Sequence, residues 1–240
     1  MRKHLALQRM IIALSIVLVL TPALAQTRFS HAVERSQQAG RIIASLAQVP
    51  ETGFPQELIG KAEAVAVFPR VTQVGALVGK ATQGYGVVCS RTENGWTVPA
   101  FYQFAGAGFG NPFTPGDKFS TILLFMSKDA VARFEKGGLQ LESETKALAG
   151  PVGAITDGQR RELEGAQILA YSYFNGNLKG ATFERSFWKR FVLDPDNNIN
   201  TPLYGMKGRE VLGGKKVDRA SLPAGIAAYQ EALQKYYAAK

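Results

Sequence analysis

Side chains that could carry out chemistry are scarce in this chain. Its 240 residues include two histidines and one cysteine. His4 falls in an N-terminal leader, so His31 and Cys89 are the only imidazole and thiol of the mature chain. A Ser-His-Asp arrangement would have to recruit its base from the N-terminal helix, and a zinc site with several His or Cys ligands cannot be assembled. No G-x-S-x-G, phosphate-loop or H-E-x-x-H spacing occurs. Cys89 stands between Val88 and Ser90 in an apolar run, where a thiol reads as a small buried hydrophobe. Carboxylates can also work in pairs, as in glycoside hydrolysis, but no pair stands out. Ala105-Gly-Ala-Gly-Phe-Gly110 spaces its glycines as G-x-G-x-G, and Pro112 and Pro115 deny it the helix that holds a pyrophosphate. Asp194-Pro-Asp-Asn-Asn-Ile-Asn200 alternates oxygen ligands like a calcium loop. It places Ile199 where glycine is required and Gly205 where a bidentate glutamate belongs, so it reads as a turn. The inventory predicts a non-enzymatic protein with no cofactor and no metal.

The chain does set basic groups beside aromatic ones. The segment Thr182–Leu193 interleaves Arg185, Trp188, Lys189 and Arg190 with Phe183, Phe187 and Phe191, and Lys179 precedes it. Trp sits at the headgroup level of a bilayer and guanidinium pairs with phosphate, so this is the composition of a peripheral lipid site. The phenylalanine spacing fits a helix and equally one face of a strand, and a core strand with a charged outer side is the competing reading. Phe29, Ala32, Val33, Ala39, Ile42, Ile43 and Leu46 recur at three and four, which makes Phe29 to Val49 an amphipathic helix. Arg28, Arg35 and Arg41 lie on its other faces. Such a helix either docks on a sheet or enters a lipid interface.

Around these segments the elements follow from period and punctuation. Val74 to Gly79, Tyr85 to Ser90 and Trp96 to Phe104 read as a meander of antiparallel strands, with reversals at Gln83-Gly84 and Glu93-Asn94-Gly95. Glycines at 75, 79, 84 and 86 allow a backbone, an aromatic ring or a ligand to approach closely. Ala64 to Phe68 is apolar without alternation, a strand buried on both faces. Phe119 to Met126 is a central strand, and Gln167 to Phe174 another, ending in a turn at Asn175-Gly-Asn177. Helices are expected over Gln56 to Ala62, over Lys128 to Lys136 behind a Ser127 cap, and from Ser221 and Pro223 to Ala239. The last presents Ile226, Tyr229, Leu233 and Tyr236 on one face.

An ordered set of motifs carries a family likeness. Gly60-Lys-Ala-Glu-Ala-Val-Ala-Val-Phe-Pro69, Gly75 to Gly79, Gly84-Tyr-Gly86 ending in Arg91, and Trp96-Thr-Val-Pro99 are followed by Gly150-Pro-Val-Gly153, Tyr171-Ser172, Gly176 to Gly180 and Tyr204-Gly205. Together they resemble the SYLF family of lipid-binding and actin-binding domains over about residues 30 to 215. The sequence departs from the family pattern at Gly106 to Pro112 and at Asn175 to Lys179. The resemblance implies binding of lipid at a membrane surface and raises the membrane-contact reading of the N-terminal helix.

Arg2, Lys3 and Arg9 precede the apolar run Met10 to Leu20, and Ala23-Leu-Ala25 is a small-x-small cleavage site. This predicts a secretory signal peptide over residues 1–25, cleaved after Ala25, and a SYLF-like lipid-binding domain over 26–240. A single cysteine leaves no internal disulfide, which fits a periplasmic or secreted protein peripheral to a membrane. The formal charge of +9 falls to +6 without the leader, and residues 176–240 hold 11 basic against 6 acidic groups. That excess favours an anionic phospholipid membrane surface, contacted through Arg28, Arg35, Arg41, Lys179, Arg185, Trp188, Lys189 and Arg190. Outside the cytoplasm it argues against nucleic acid. The expected fold is α+β: a single domain with a curved antiparallel β-sheet or partial barrel and flanking N-terminal, middle and C-terminal helices. The alternatives are an envelope module that binds other proteins through the same basic patch, and a carboxylate-based hydrolase.

Overall fold

The computed structural model describes residues 28–76, 79–107, 109–110, 118–137, 146–183 and 191–238. The described chain opens with α1 over residues 28–47, followed by α2 (Gln56–Lys61), β1 (Ala64–Ala76), β2 (Gly79–Thr92), β3 (Gly95–Trp96), β4 (Ala100–Ala107) and β5 (Phe109–Gly110). The middle of the chain holds β6 (Phe119–Phe125), α3 (Lys128–Gly137), β7 (Ala147–Ala149), α4 (Asp157–Glu162), β8 (Ile168–Phe174), β9 (Asn177–Gly180) and β10 (Thr182–Phe183). Then come β11 (Phe191–Pro195), α5 (Asn197–Tyr204), α6 (Gly208–Leu212), a 3-10 turn at Arg219–Ser221, and α7 (Ala228–Tyr237).

One curled half-barrel sheet in the order β11-β4-β2-β1-β6-β8-β7 forms the body, with β3 added to β2 and β9 to β8. The expected α+β fold with N-terminal, middle and C-terminal helices around a curved sheet is the one observed. Strands β2, β1 and β6 sit in the middle, and Ala64 to Phe68 and all of β6 are buried, because both faces are covered. Ala64, Ala66 and Phe68 share a face with Leu123, Phe125 and Tyr102, where the Phe134 ring of α3 packs 4.5 Å from Tyr102 and 5.1 Å from Phe125. The other face takes α1 and the C-terminal segment. Tyr229 joins them: its amide donates to Ser36 Oγ (3.1 Å) and its hydroxyl to the Val65 carbonyl (2.9 Å). The α1 stripe Ala32, Ser36, Ala39, Ile43 and Leu46 is at most 1% exposed. It is docked.

Several expectations change. Gln83-Gly84 is no reversal: Gln83 pairs with Thr72 and Ala105, Gly84 with Val71 and Phe104, and the chain turns between Ala76 and Gly79, which pair with each other. The glycine is needed there because a Cβ would come within 2.9 Å of Val71 Cγ2. Ala64 to Phe68 and Val74 onward belong to one strand interrupted by a bulge, where the register slips between Val67 and Arg70 against β2 and between Phe68 and Val71 against β6. The sheet is not wholly antiparallel, since β7 runs parallel to β8. Asp194 to Asn200 is not a turn but the end of β11 and the start of α5. Asn200 drives this, as its buried amide bonds both backbone groups of Phe101. The final helix starts at Ala228, and Tyr237 rather than Tyr236 completes its buried face. Helices α4 and α6 had no counterpart in the sequence reading.

Candidate functional site

A groove runs along the polar face of α1. His31, Glu34, Arg35, Gln38, Arg41 and Ser45 form its helical wall; Pro69 and Arg70 form the facing wall, with Tyr85 at one end and Tyr173 at the other. The β1 bulge creates that facing wall. Proline cannot donate to a ladder and is accommodated at a bulge, and the slip turns Arg70 outward toward α1. Glycine makes the bulge possible, since a Cβ on Gly86 would overlap the Val67 carbonyl oxygen. Ser120 Oγ anchors it by donating to the Pro69 carbonyl at 2.7 Å.

Within the groove the arginines differ. Arg35 is 22% exposed and tied down: Nη1 lies 3.3 Å from Asp196 Oδ2, and the guanidinium stands 4.7 Å over the Tyr85 ring. It fastens α1 to β2 and to the β11–α5 junction. The Arg70 side chain is 63% exposed and, among the described residues, pairs with Glu34 at 3.7 Å, itself half-exposed. Arg41 is exposed and makes no ion pair among the described residues. Two outward guanidinium groups with tyrosines at either end can hold a phosphate or carboxylate at the surface.

The structure brings together only part of the predicted set. Arg28, Arg35 and Arg41 follow one another along α1, with Arg28 exposed at its start. Lys179 is exposed on β9 opposite Ser172, on the face away from Tyr173 and therefore away from the groove. Arg185, Trp188, Lys189 and Arg190 lie outside the described residues. Arg70, Tyr85 and Tyr173 were missed by sequence reasoning. The available signal was Pro69, a proline ending a fully apolar strand run, which marks a bulge and so an outward-turned neighbour.

Cys89 is fully buried; burial pushes its thiol well above its usual pKa, and a hydrogen bond with the Thr97 side chain offsets part of that rise. Burial likewise raises the phenols of Tyr171, Tyr204 and Tyr229. Among the described residues no group of three or more His, Cys, Asp or Glu side chains is placed to hold a metal ion.

Comparison with known proteins adds the family. Residues 105–236 match the family Ysc84, described as Las17-binding protein actin regulator. The chain is 28% identical over 165 residues to human SH3 domain-containing YSC84-like protein 1, covering 65% of this chain and 47% of that protein, and 29% identical to its mouse counterpart over the same span. It is 27% identical over 161 residues to LAS seventeen-binding protein 3 of Saccharomyces cerevisiae, covering 63% of this chain and 34% of that protein. The chain thus spans about half or less of the length of the curated relatives it matches. The family description and the yeast name speak of binding and regulation rather than of a reaction. With the match extending over more than half of its length, the chain belongs to the Ysc84, or SYLF, family.

Proposed function

We propose that this chain is a non-enzymatic protein that binds an anionic phospholipid surface, with the groove beside α1 as its contact. One observation carries the reading: Arg41 and Arg70, both exposed, flank a groove whose ends hold Tyr85 and Tyr173, and among the described residues Glu34 is the one carboxylate lining it. Guanidinium pairs with lipid phosphate while tyrosine sits at the headgroup level. Arg28 extends the patch along α1. Arg35 serves by holding α1 in place. Lys179 with Arg185, Trp188, Lys189 and Arg190 forms a second contact in this reading. The leader over residues 1–25 sends the protein to the periplasm or beyond, so the surface is a membrane of the envelope. Because α1 is docked, contact is through its polar face and not by insertion of its apolar stripe.

The test is co-sedimentation of residues 26–240 with neutral and with phosphatidylglycerol-containing vesicles over a salt series. Binding to anionic vesicles alone, weakened by salt, is expected, and Arg41→Ala with Arg70→Ala removes about 1 kcal/mol per arginine. Absence of binding to any vesicle at low salt overturns the reading. The name of the yeast relative favours one alternative, a protein partner at the same patch, which a pull-down of envelope proteins with the same double variant as control addresses.

A further inference from the structure

A second groove, of about 920 Å³, lies between the β2–β3 turn and the segment that follows α6. Its floor is apolar, made by the buried side chains of Trp96, Val98 and Val211. One wall is the turn. The other is residues 214–220, and the chain's own hydrogen bonds fix the course of that wall at both ends. Helix α6 stops in a Schellman motif: the Gly214 amide donates to the Val211 carbonyl (3.1 Å), the Lys215 amide donates to the Glu210 carbonyl (3.0 Å), and Gly214 takes the left-handed φ of 80° that the motif requires. Asp218 then caps the 3-10 turn, its Oδ1 accepting from the Ala220 amide at 3.1 Å and its carbonyl from Ser221 Oγ at 3.0 Å.

Between these fixed ends Lys216 and Val217 lie in neither helix nor turn, and among the described residues their backbone N–H and C=O groups make no hydrogen bond. Backbone held in place with its own polar groups unpaired is a template for an added strand. The charges set the chemistry of that strand. Lys216 and Arg219 are exposed and make no ion pair among the described residues. The neighbouring carboxylates are engaged by the wall itself, Asp218 in its cap and Glu210 by Lys215 Nζ at 2.7 Å and the Lys207 amide at 2.9 Å. Residues 207–219 hold five basic groups against two acidic, which is three of the five excess positive charges of residues 176–240. A bilayer reaches the rim of such a groove and leaves its floor uncovered, whereas a peptide fills it.

We infer that this groove takes an extended acidic segment of a partner protein. The segment's backbone pairs with Lys216 and Val217, its carboxylates meet Lys216 and Arg219, and its apolar side chains cover Val98 and Val211. Successive side chains of an extended peptide point to opposite sides, so acidic and apolar residues alternate along it. The site is independent of the α1 groove.

The probes are two fluorescein-labelled octapeptides, one alternating Asp and Val and one alternating Asp and Gly, titrated into residues 26–240 by fluorescence anisotropy and by amide NMR. Saturable binding of the Asp-Val peptide is expected, with shifts at Asn94, Lys216 and Val217 and an affinity about fivefold or more above that of the Asp-Gly peptide, which cannot cover the floor. Lys216→Glu with Arg219→Glu should raise Kd about tenfold or more, and Arg41→Glu should leave it unchanged. If the reversal disturbs the fold, as the same spectra would reveal, Lys216→Gln with Arg219→Gln gives the weaker form of the same loss. No saturation up to about 1 mM at low salt, equal affinity for the two peptides, or an unchanged Kd in the Lys216 and Arg219 variants overturns the proposal. Binding of phosphatidylglycerol vesicles that is lost with Lys216→Glu and Arg219→Glu but kept with Arg41→Ala and Arg70→Ala assigns the groove to a membrane and overturns it equally.

Discussion

Asn200 acts as a piece of backbone supplied by a side chain. Its Oδ1 accepts from the Phe101 amide at 2.8 Å and its Nδ2 donates to the Phe101 and Asp196 carbonyls at 2.8 and 3.0 Å, the two Phe101 bonds buried and the Asp196 bond part-buried. Removing the amide takes away the acceptor of the buried Phe101 amide, while the Phe101 carbonyl keeps only the Asp196 amide at 2.9 Å among the described residues. Asn200→Ala should cost roughly 2–4 kcal/mol, read as a loss in urea midpoint, and Asn200→Asp should not restore it because an ionised carboxylate cannot donate to the Phe101 carbonyl. Gly86 makes a different demand: a Cβ there meets backbone, the Val67 carbonyl oxygen, which cannot swing aside as a side chain would. Gly86→Ala should destabilise by about 3 kcal/mol, and a variant of unchanged stability would show that the bulge is not fixed by this approach.

At the scale of the element, α1 is the one whose position matters most for function. Its apolar stripe is covered by the C-terminal segment and the core, and Gly40 lies so close to α7 that a Cβ would stand 2.8 Å from the Ala228 carbonyl oxygen. A docked helix contributes burial to folding. Ile43→Ala should therefore cost about 3 kcal/mol in global unfolding. If α1 instead swings free, the same substitution leaves stability unchanged, and calorimetry separates the two outcomes. The bulged β1 forms the other wall, so vesicle contact in the proposed reading depends on two elements far apart in sequence meeting at Arg41 and Arg70.

For the whole molecule, the buried phenols and thiol set an alkaline limit. Burial raises Tyr171, Tyr204 and Tyr229, moves Tyr237 to about 12, and raises Cys89. Groups whose folded pKa lies above the unfolded one stabilise fully below the unfolded value and lose that contribution as pH rises through the folded value. The ordinary values are 9.0 for the thiol and 10.0 for the phenols. The urea midpoint should thus be insensitive to these groups below pH 9.0 and fall steadily above 10.0; a midpoint held through about pH 12 would contradict the burial of ionisable groups described here.

Local chemistry was legible in the sequence wherever a residue's neighbours along the chain decide its state. The α1 stripe announced a docked or inserted helix, Ser127 marked the cap of α3 and bonds the Ala130 amide at 3.1 Å, Asn175-Gly176 marked a hairpin, and the unalternating Ala64 to Phe68 marked a strand covered on both sides. Gln83-Gly84 misled because glycine serves turns and close approaches alike, and only the neighbouring strand tells which. Asp194 to Asn200 misled for the related reason that a side-chain amide bonds its own turn or a distant strand with equal ease, and here Phe101, about a hundred residues away, is the partner. Tertiary structure alone decided the site. A guanidinium's role depends on what it faces: Arg35 found Asp196 and became a fastening, Arg70 was turned outward by a bulge, and Arg91 bonded the carbonyls of Ile59 and Ala62 at the end of α2. Sequence determines which groups carry charge, but the pairings that cancel or leave that charge arise between residues brought together only by the fold.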